Sequence, residues 1–381
     1  MPSAYFDHNA TTPLDERVLA AMLPFFRDHY GNPSSRHEQG REARRVVDRA
    51  REQVAAAVGA QPSQVIFTSG GSEANNLAIR GGTAYLPASQ VVVSAIEHPC
   101  VMRPAQELHQ QGWTLGNVGV TSDGYVDAAD LENVLHTPTG LVAVMLANNE
   151  TGVLQDVAKL SEIAHRRGAL MHTDAVQALG KMPVDFAALG VDMLSLSAHK
   201  AYGPKGVGAL LVGRNVELKA QIVGAGHEKG LRAGTENVPG IVGFGVACEL
   251  AAARVKDYTV RVRALRDELE RGLSALGATI FGTGAKRLPN TSFFAFAGIE
   301  GETLVMALDN AGFAVASGAA CSSGSAQASA VLLAMGVDNV LGRGAVRVSL
   351  GKDTTGEQVQ MFLRALQGEV ARLRGLAAMA V

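Results

Sequence analysis

The chain has 381 residues, more than one compact domain of roughly 100–200 residues requires, so two domains are expected. Hydrophobic residues make up 47% and charged residues 18%, a balance that favours a buried core over disorder. Lys and Arg number 34 against 36 Asp and Glu; the net charge of -2 gives no reason to expect a nucleic acid or an acidic membrane as partner. No apolar run is seen that would span a bilayer, and MPSAYFDHNATTP lacks the basic leader and apolar stretch of a signal peptide, so a soluble, cytoplasmic protein is expected. Gly occurs 43 times, above the usual ~7%. The three cysteines, Cys100, Cys248 and Cys321, are too sparse for a disulfide framework or a C-x-x-C metal pair, and no metal site is expected.

In chain order, Gly40, Ala43, Val47, Ala50, Val54 and Val58 recur at helical spacing and predict a helix over residues 36–58. VIFT (65–68) reads as a strand, and SGGSEANNLAI after it as a glycine turn opening into a helix. Further strand-like runs follow at 91–95, 141–147, 169–175, 193–198 and 208–212. Most are apolar throughout, as expected of strands covered on both faces. With helices such as 157–167 between them, they predict an α/β domain built on a mostly parallel sheet. A long helical region is expected from about 240 to 275, with a break near Tyr258. Strands at ATIFG, 291–297 and 346–350, a helix near 301–311, and a last helix with Val359, Phe362, Leu366 and Val370 on one face then form a smaller α+β domain. The expected division is an N-terminal segment (1–15) associated with the small domain, a large domain (16–245) and a small domain (246–381).

Ligands of open α/β sheets bind beyond the C-terminal strand ends, so the polar residues there are the candidates. TSGGSEAN offers close backbone approach, a helix N-terminus and the Ser72 hydroxyl, which suits an anion but equally a capped turn. HTDAVQ places Asp174 at a strand end, as a buried acid needing a partner or as a helix cap. In SLSAHKAYGPKG, Ser197, His199 and Lys200 leave a strand for a Gly/Pro loop, where a desolvated Lys becomes a nucleophile for carbonyls. Together these describe a pyridoxal phosphate site: a Schiff-base Lys, an Asp for the pyridinium nitrogen, and a phosphate cup.

Ten motifs in order, YFDHNATTP, GNPSSRH, TSGGSEANNLAI, EHPCV, NNETGVLQ, HTDAVQ, SAHKAYGPKG, RAGTEN, SGAACSSG and VRVSLG, closely resemble those of NifS/IscS-type cysteine desulfurases. These belong to the class V aminotransferase group of fold type I pyridoxal phosphate enzymes. The resemblance implies that Lys200 carries the cofactor, Asp174 partners its ring nitrogen, and His98 stacks on the ring and moves protons. It implies that Gln177 and Asn149 are donors near the phenolic oxygen or substrate, and that Gly71, Ser72, Ser197 and His199 form the phosphate cup. Thr235 would reach a phosphate across a homodimer interface, and Arg347 would grip the substrate carboxylate. Asn32 and His37 are expected at the entrance. Cys321, in a loop of small residues, would accept sulfur from L-cysteine as a persulfide, leaving L-alanine. Cys248, and less clearly Cys100, read as ordinary small hydrophobes.

The implied partner is a sulfur-acceptor protein, either an iron–sulfur cluster scaffold or a relay such as that for tRNA thiolation. Selenocysteine lyase, a class V aminotransferase, or a catalytically silent member of a metallocluster complex remain the alternatives. Ser72 stands where Thr is frequent, Ala233 where Ser is common, and SAQAS follows the Cys321 loop in place of the usual Glu-Pro-Ser. The ending GLAAMAV lacks the polar tail by which some relatives dock a scaffold, which leaves the acceptor open.

Overall fold

The computed structural model describes residues 4–318 and 327–379. Strand β1 (Ala4–Tyr5) opens the chain. The apolar runs then form one seven-stranded sheet: β2 (Val65–Thr68), β3 (Gln90–Ser94), β4 (Thr114–Val118), β5 (Thr139–Ala143), β6 (Leu170–Asp174), β7 (Met193–Ser197) and β8 (Gly208–Val212), in the order β2-β8-β7-β6-β5-β3-β4. Pairings β3–β4, β3–β5, β5–β6 and β6–β7 are parallel, and β8 runs antiparallel to both its neighbours. Every residue of β2, β3, β7 and β8 is buried, which explains why those runs do not alternate. The run at 141–147 leaves the strand after Ala143; beyond it, Met145 donates its amide to the Glu97 carboxylate at 2.7 Å.

The helix Glu38–Ala57 buries Ala43, Val47, Ala50 and Val54 against this core. The longer helix Val238–Ala275 crosses it closely at Gly245, where a Cβ would come within 2.8 Å of Ala50 Cα. That helix is continuous, correcting the expected break near Tyr258. The Thr259 hydroxyl donates to the Val255 carbonyl at 2.7 Å within the helix, and buried Tyr258 donates to Leu350 O at 3.4 Å. The helix is also long and apolar enough to cross a membrane by length and composition, contrary to the expectation that no such run exists. Yet 61% of its most apolar window is buried inside the protein, as befits a core helix.

Its first half contributes Ile241, Phe244 and Cys248 to the core of the large sheet; its second half gives Val262, Leu269 and Leu273 to another cluster. That second cluster lies against an antiparallel sheet of β9 (Thr279–Ile280), β10 (Thr291–Ala295), β12 (Ala316–Ser317) and β13 (Ala345–Ser349), ordered β12-β13-β10-β9, with the helices Gly301–Asn310 and Gly356–Met379. Strand β1 pairs in parallel with β11 (Phe313–Ala314), and Phe6 clusters with Phe313 and Phe362, whose ring centroids lie 6.1 and 5.5 Å from its own. The chain start is thereby pinned to the second cluster while residues 7–12 run back to the large sheet.

Candidate active site

The C-terminal ends of β2, β3, β5, β6 and β7 empty onto one cavity of about 260 Å³, lined by Gly71, Ser72, Asn75, His98, Cys100, Met145, Ala147, Asn149, Asp174, Val176, Gln177, Ser197, His199 and Lys200. Parallel strands aim their outgoing loops the same way, so residues far apart in sequence converge here. Of the residues expected at the site, nine stand on this wall. Thr235, Arg347 and the entrance residues Asn32 and His37 do not, and Cys321 lies outside the described residues.

Lys200 ends a single turn, Ala198–Lys200, directly after β7. Its Nζ donates to the carbonyls of Asn9 at 2.6 Å and Ala10 at 2.7 Å. Burial, followed by the charge of Arg347, lowers its pKa to about 8, so about a tenth is neutral amine at pH 7. Asp174 closes β6 and is nearly fully buried; Oδ2 accepts from Asn75 Nδ2 at 2.7 Å and Oδ1 from Val176 N at 2.9 Å. Desolvation raises its pKa despite these donors, a carboxylate that a cation in the cavity would relieve.

His98 caps the helix Pro99–Gln110, its Nδ1 accepting from Cys100 N at 3.2 Å, with its ring open to the cavity. Withdrawal of water by the surrounding protein pulls its pKa down, which keeps the imidazole neutral. Cys100 Sγ lies 2.8 Å from the same nitrogen, and burial pushes its thiol up to about 11.

At the other end, Gly70 caps the helix Gly71–Asn76 without a side-chain hydrogen bond, leaving its first N–H groups open. A Cβ on Gly71 would meet Val176 Cγ2 at 2.8 Å, so glycine is required for the backbone to lie this close. Ser72, Ser197 and His199 face both this cavity and an adjoining one with Thr11 and Lys205. His199 Nδ1 lies 3.1 Å from Thr11 Oγ1, and burial together with Lys200 pulls its pKa down to about 4.

Gln177 spends its amide locally: Nε2 donates to Asn9 O at 2.9 Å, and Oε1 accepts from buried Lys181 Nζ at 2.6 Å. Arg347, on β13, is paired with Asp7 at 2.6 Å and donates to Asn149 O at 3.1 Å, while its buried Nε has no partner among the described residues. Thr235 is exposed, in the same loop as Arg232, whose guanidinium is held by Glu73 at 2.9 Å. Asn32 and His37 shape their own loop, accepting from Ser34 N at 2.8 Å and Gly40 N at 3.3 Å. Cys248 is fully buried in the long helix. Sequence reasoning passed over Asn75, Asn9 and Lys181. The one available signal was polarity inside an otherwise apolar pattern, as at Asn75 in EANNLAI.

The donor set fits pyridoxal phosphate. A desolvated amine suits the aldehyde, a buried carboxylate the ring nitrogen and an imidazole wall the ring face. Open N–H groups with two hydroxyls suit the phosphate. Asn75 Oδ1, buried without a partner among the described residues, is a further acceptor on the same wall.

The model of the aminotransferase class-V family matches residues 4–362. The chain is 46% identical to a cysteine desulfurase of Cereibacter sphaeroides over 381 residues, covering 99% of this chain and 98% of that one. A solved NifS-like protein superposes with a TM-score of 0.92 at 38% identity, covering 97% of this chain and all of its own. SspA solved in complex with cysteine matches with a TM-score of 0.81 at 34% identity, over 91% of this chain and 98% of that one. The full-length match and the cavity agree: the chain belongs to the class-V aminotransferase family.

Proposed function

We propose that this protein is a pyridoxal phosphate-dependent cysteine desulfurase, converting L-cysteine and a protein thiol into L-alanine and a protein persulfide. The observation that carries this is the meeting of Lys200, Asp174 and His98 in one cavity of a chain so similar, end to end, to a cysteine desulfurase. The neighbour solved with cysteine supports the substrate.

Bound pyridoxal phosphate supplies an aldehyde for amines and a ring that takes up the electron pair left when a Cα proton departs. Lys200 holds the cofactor at rest and, as a free amine with its lowered pKa, takes the Cα proton of cysteine. Asp174 keeps the ring nitrogen protonated, held in place by Asn75 and the Val176 amide. Gly71, Ser72, Ser197 and His199 receive the phosphate, with Thr235 of a second subunit completing the cup in a homodimer. Gln177 and Asn149 orient the polar edge of cofactor and substrate. Arg347 binds the substrate carboxylate, releasing Asp7 to do so. His98, neutral, exchanges a proton with the substrate thiol. Cys321 attacks the substrate sulfur as a thiolate; its new S–S bond replaces the C–S bond, and the carbon fragment takes up one proton at Cβ and regains the Cα proton from Lys200 to leave as alanine. The persulfide then passes to an acceptor protein in the cytoplasm, a cluster scaffold or a sulfur relay. The expected fold division, with the Cys321 loop in residues 246–381 and the cofactor in 16–245, assigns the thiol and the amine to different domains.

Purified Cys321→Ala should keep the cofactor's absorption band and bind L-cysteine, yet form no alanine or sulfide under reductant. Wild-type rates from that variant would refute the persulfide role. Alanine formation only from selenocysteine would instead favour the lyase reading, and amino transfer to a keto acid independent of Cys321 the aminotransferase one.

A further inference from the structure

Cys100 has no part in the reaction as set out above, yet it stands on the cavity wall between two groups that do. Its Sγ lies 2.8 Å from His98 Nδ1 and accepts from Asn75 Nδ2 at 3.0 Å. The same amide nitrogen donates to Asp174 Oδ2 at 2.7 Å. Asn75 is wholly buried, so water does not compete for its bond to Asp174.

The direction of each bond follows from what each atom can do. The Asn75 amide nitrogen donates only, and so does the backbone N–H of Cys100, which points at His98 Nδ1 from 3.2 Å. A ring nitrogen facing that N–H must be the acceptor, which puts the imidazole proton on Nε2. The 2.8 Å contact is then S–H donating to Nδ1. Burial beside Asp174 keeps that thiol protonated across the neutral range. The charged groups facing His98 are Asp174 from β6, which favours its cation, and Lys200 from the turn after β7, which opposes it; burial outweighs both. With the ring neutral, its tautomer is what the surroundings can set.

We propose that Cys100 and Asn75 are positioning residues forming a hydrogen-bonded link from Asp174 to His98, which holds His98 in its Nε2–H tautomer with that nitrogen left for the substrate thiol. The inference rests on the reading of His98 as the proton-exchanging group of a desulfurase. A cysteine that merely fills space would be replaceable by alanine without consequence; a link in a chain of hydrogen bonds would not.

The test compares Cys100→Ala with Cys100→Ser, which retains a donor and acceptor at this position. Side-chain 15N spectra of the cofactor-free protein, with His98 assigned through His98→Gln, should show the Nε2–H form in wild type and Cys100→Ser, but an added share of the Nδ1–H form in Cys100→Ala, where the backbone N–H of residue 100 alone is left to hold Nδ1 as an acceptor. In the loaded enzyme, kcat for alanine formation from cysteine should fall about 10-fold in Cys100→Ala, a fraction of what a full acid–base group supplies, with KM within about twofold. Cys100→Ser should recover most of that loss. Unchanged 15N spectra and kcat in Cys100→Ala would overturn the link, and so would equal impairment of both variants. Failure of the desulfurase reading is separately visible: wild type would form no alanine from cysteine, while the 15N spectra would still report whether Cys100 sets the tautomer.

Discussion

Glu97 shows how far one side chain can be driven by its neighbours. Its Oε1 accepts from Ser94 Oγ at 2.5 Å and Met145 N at 2.7 Å, whereas Oε2 is buried with no partner among the described residues. Burial lifts its pKa to about 8 from an ordinary 4.5. The folded state therefore holds a proton that the unfolded chain releases between pH 4.5 and 8, and this group's contribution weakens as pH rises through that window. Glu97→Gln should be at least as stable as wild type at pH 8 and lose its relative advantage near pH 5, read as urea midpoints at both. A wild-type advantage that grows with pH would contradict this. Lys200→Ala should remove the Schiff-base absorption band altogether, while a retained band at wild-type intensity would move the cofactor to another amine. At this scale the site was half legible. Lys200, Asp174 and His98 could be seen because each follows an apolar run in a motif, whereas Asn75 and Lys181 act through partners about 100 and 170 positions away, which no local pattern encodes. Likewise, nothing in VRVSLG signals that Arg347 is paired with Asp7.

Among the elements, those that bury one whole face announced themselves. The stripe in 36–58 became a helix, and the apolar runs became β2, β3, β6, β7 and β8. Strand β4 was missed because it is an edge strand whose TLGNV alternates exposed and buried residues weakly around a glycine. The break expected at Tyr258 failed because local β-branched residues weigh less than two cores sharing one helix. In that helix Gly245 lies against the Ala50 backbone, so Gly245→Val would press on Ala50 and should cost about 1–3 kcal/mol, measured by denaturant unfolding. Phe362→Ala, removing the ring against Phe6 and Phe313, should cost about 3–5 kcal/mol. Losses under 0.5 kcal/mol in either would mean the contacts are not close-packed.

Across the whole molecule, four histidines are folded in neutral surroundings, His98 and three more. Burial lowers His8 and His199 to about 4 and His172 to about 3. Each binds its proton near 6.5 when unfolded, so their stabilising effect is complete above that pH and lost as pH falls through the folded values. Urea midpoints of the cofactor-free protein should drop between pH 6.5 and 4. In His172→Asn, an uncharged variant, that drop should be smaller; an unchanged slope would assign acid sensitivity elsewhere.

The tie between the chain's two ends bears on when, during synthesis, the site comes into being. Asn9 donates its amide to Ser349 Oγ at 2.9 Å, its carbonyl receives Lys200, and Asp7 meets Arg347. A ribosome that has made the whole seven-stranded sheet has made Gln177, Lys181 and His199, which hold Asn9 and Thr12, but not Arg347 and Ser349, which hold Asp7 and Asn9. The seating of residues 7–9 is therefore complete only once Arg347 and Ser349 have been made, well over 100 residues after Lys200.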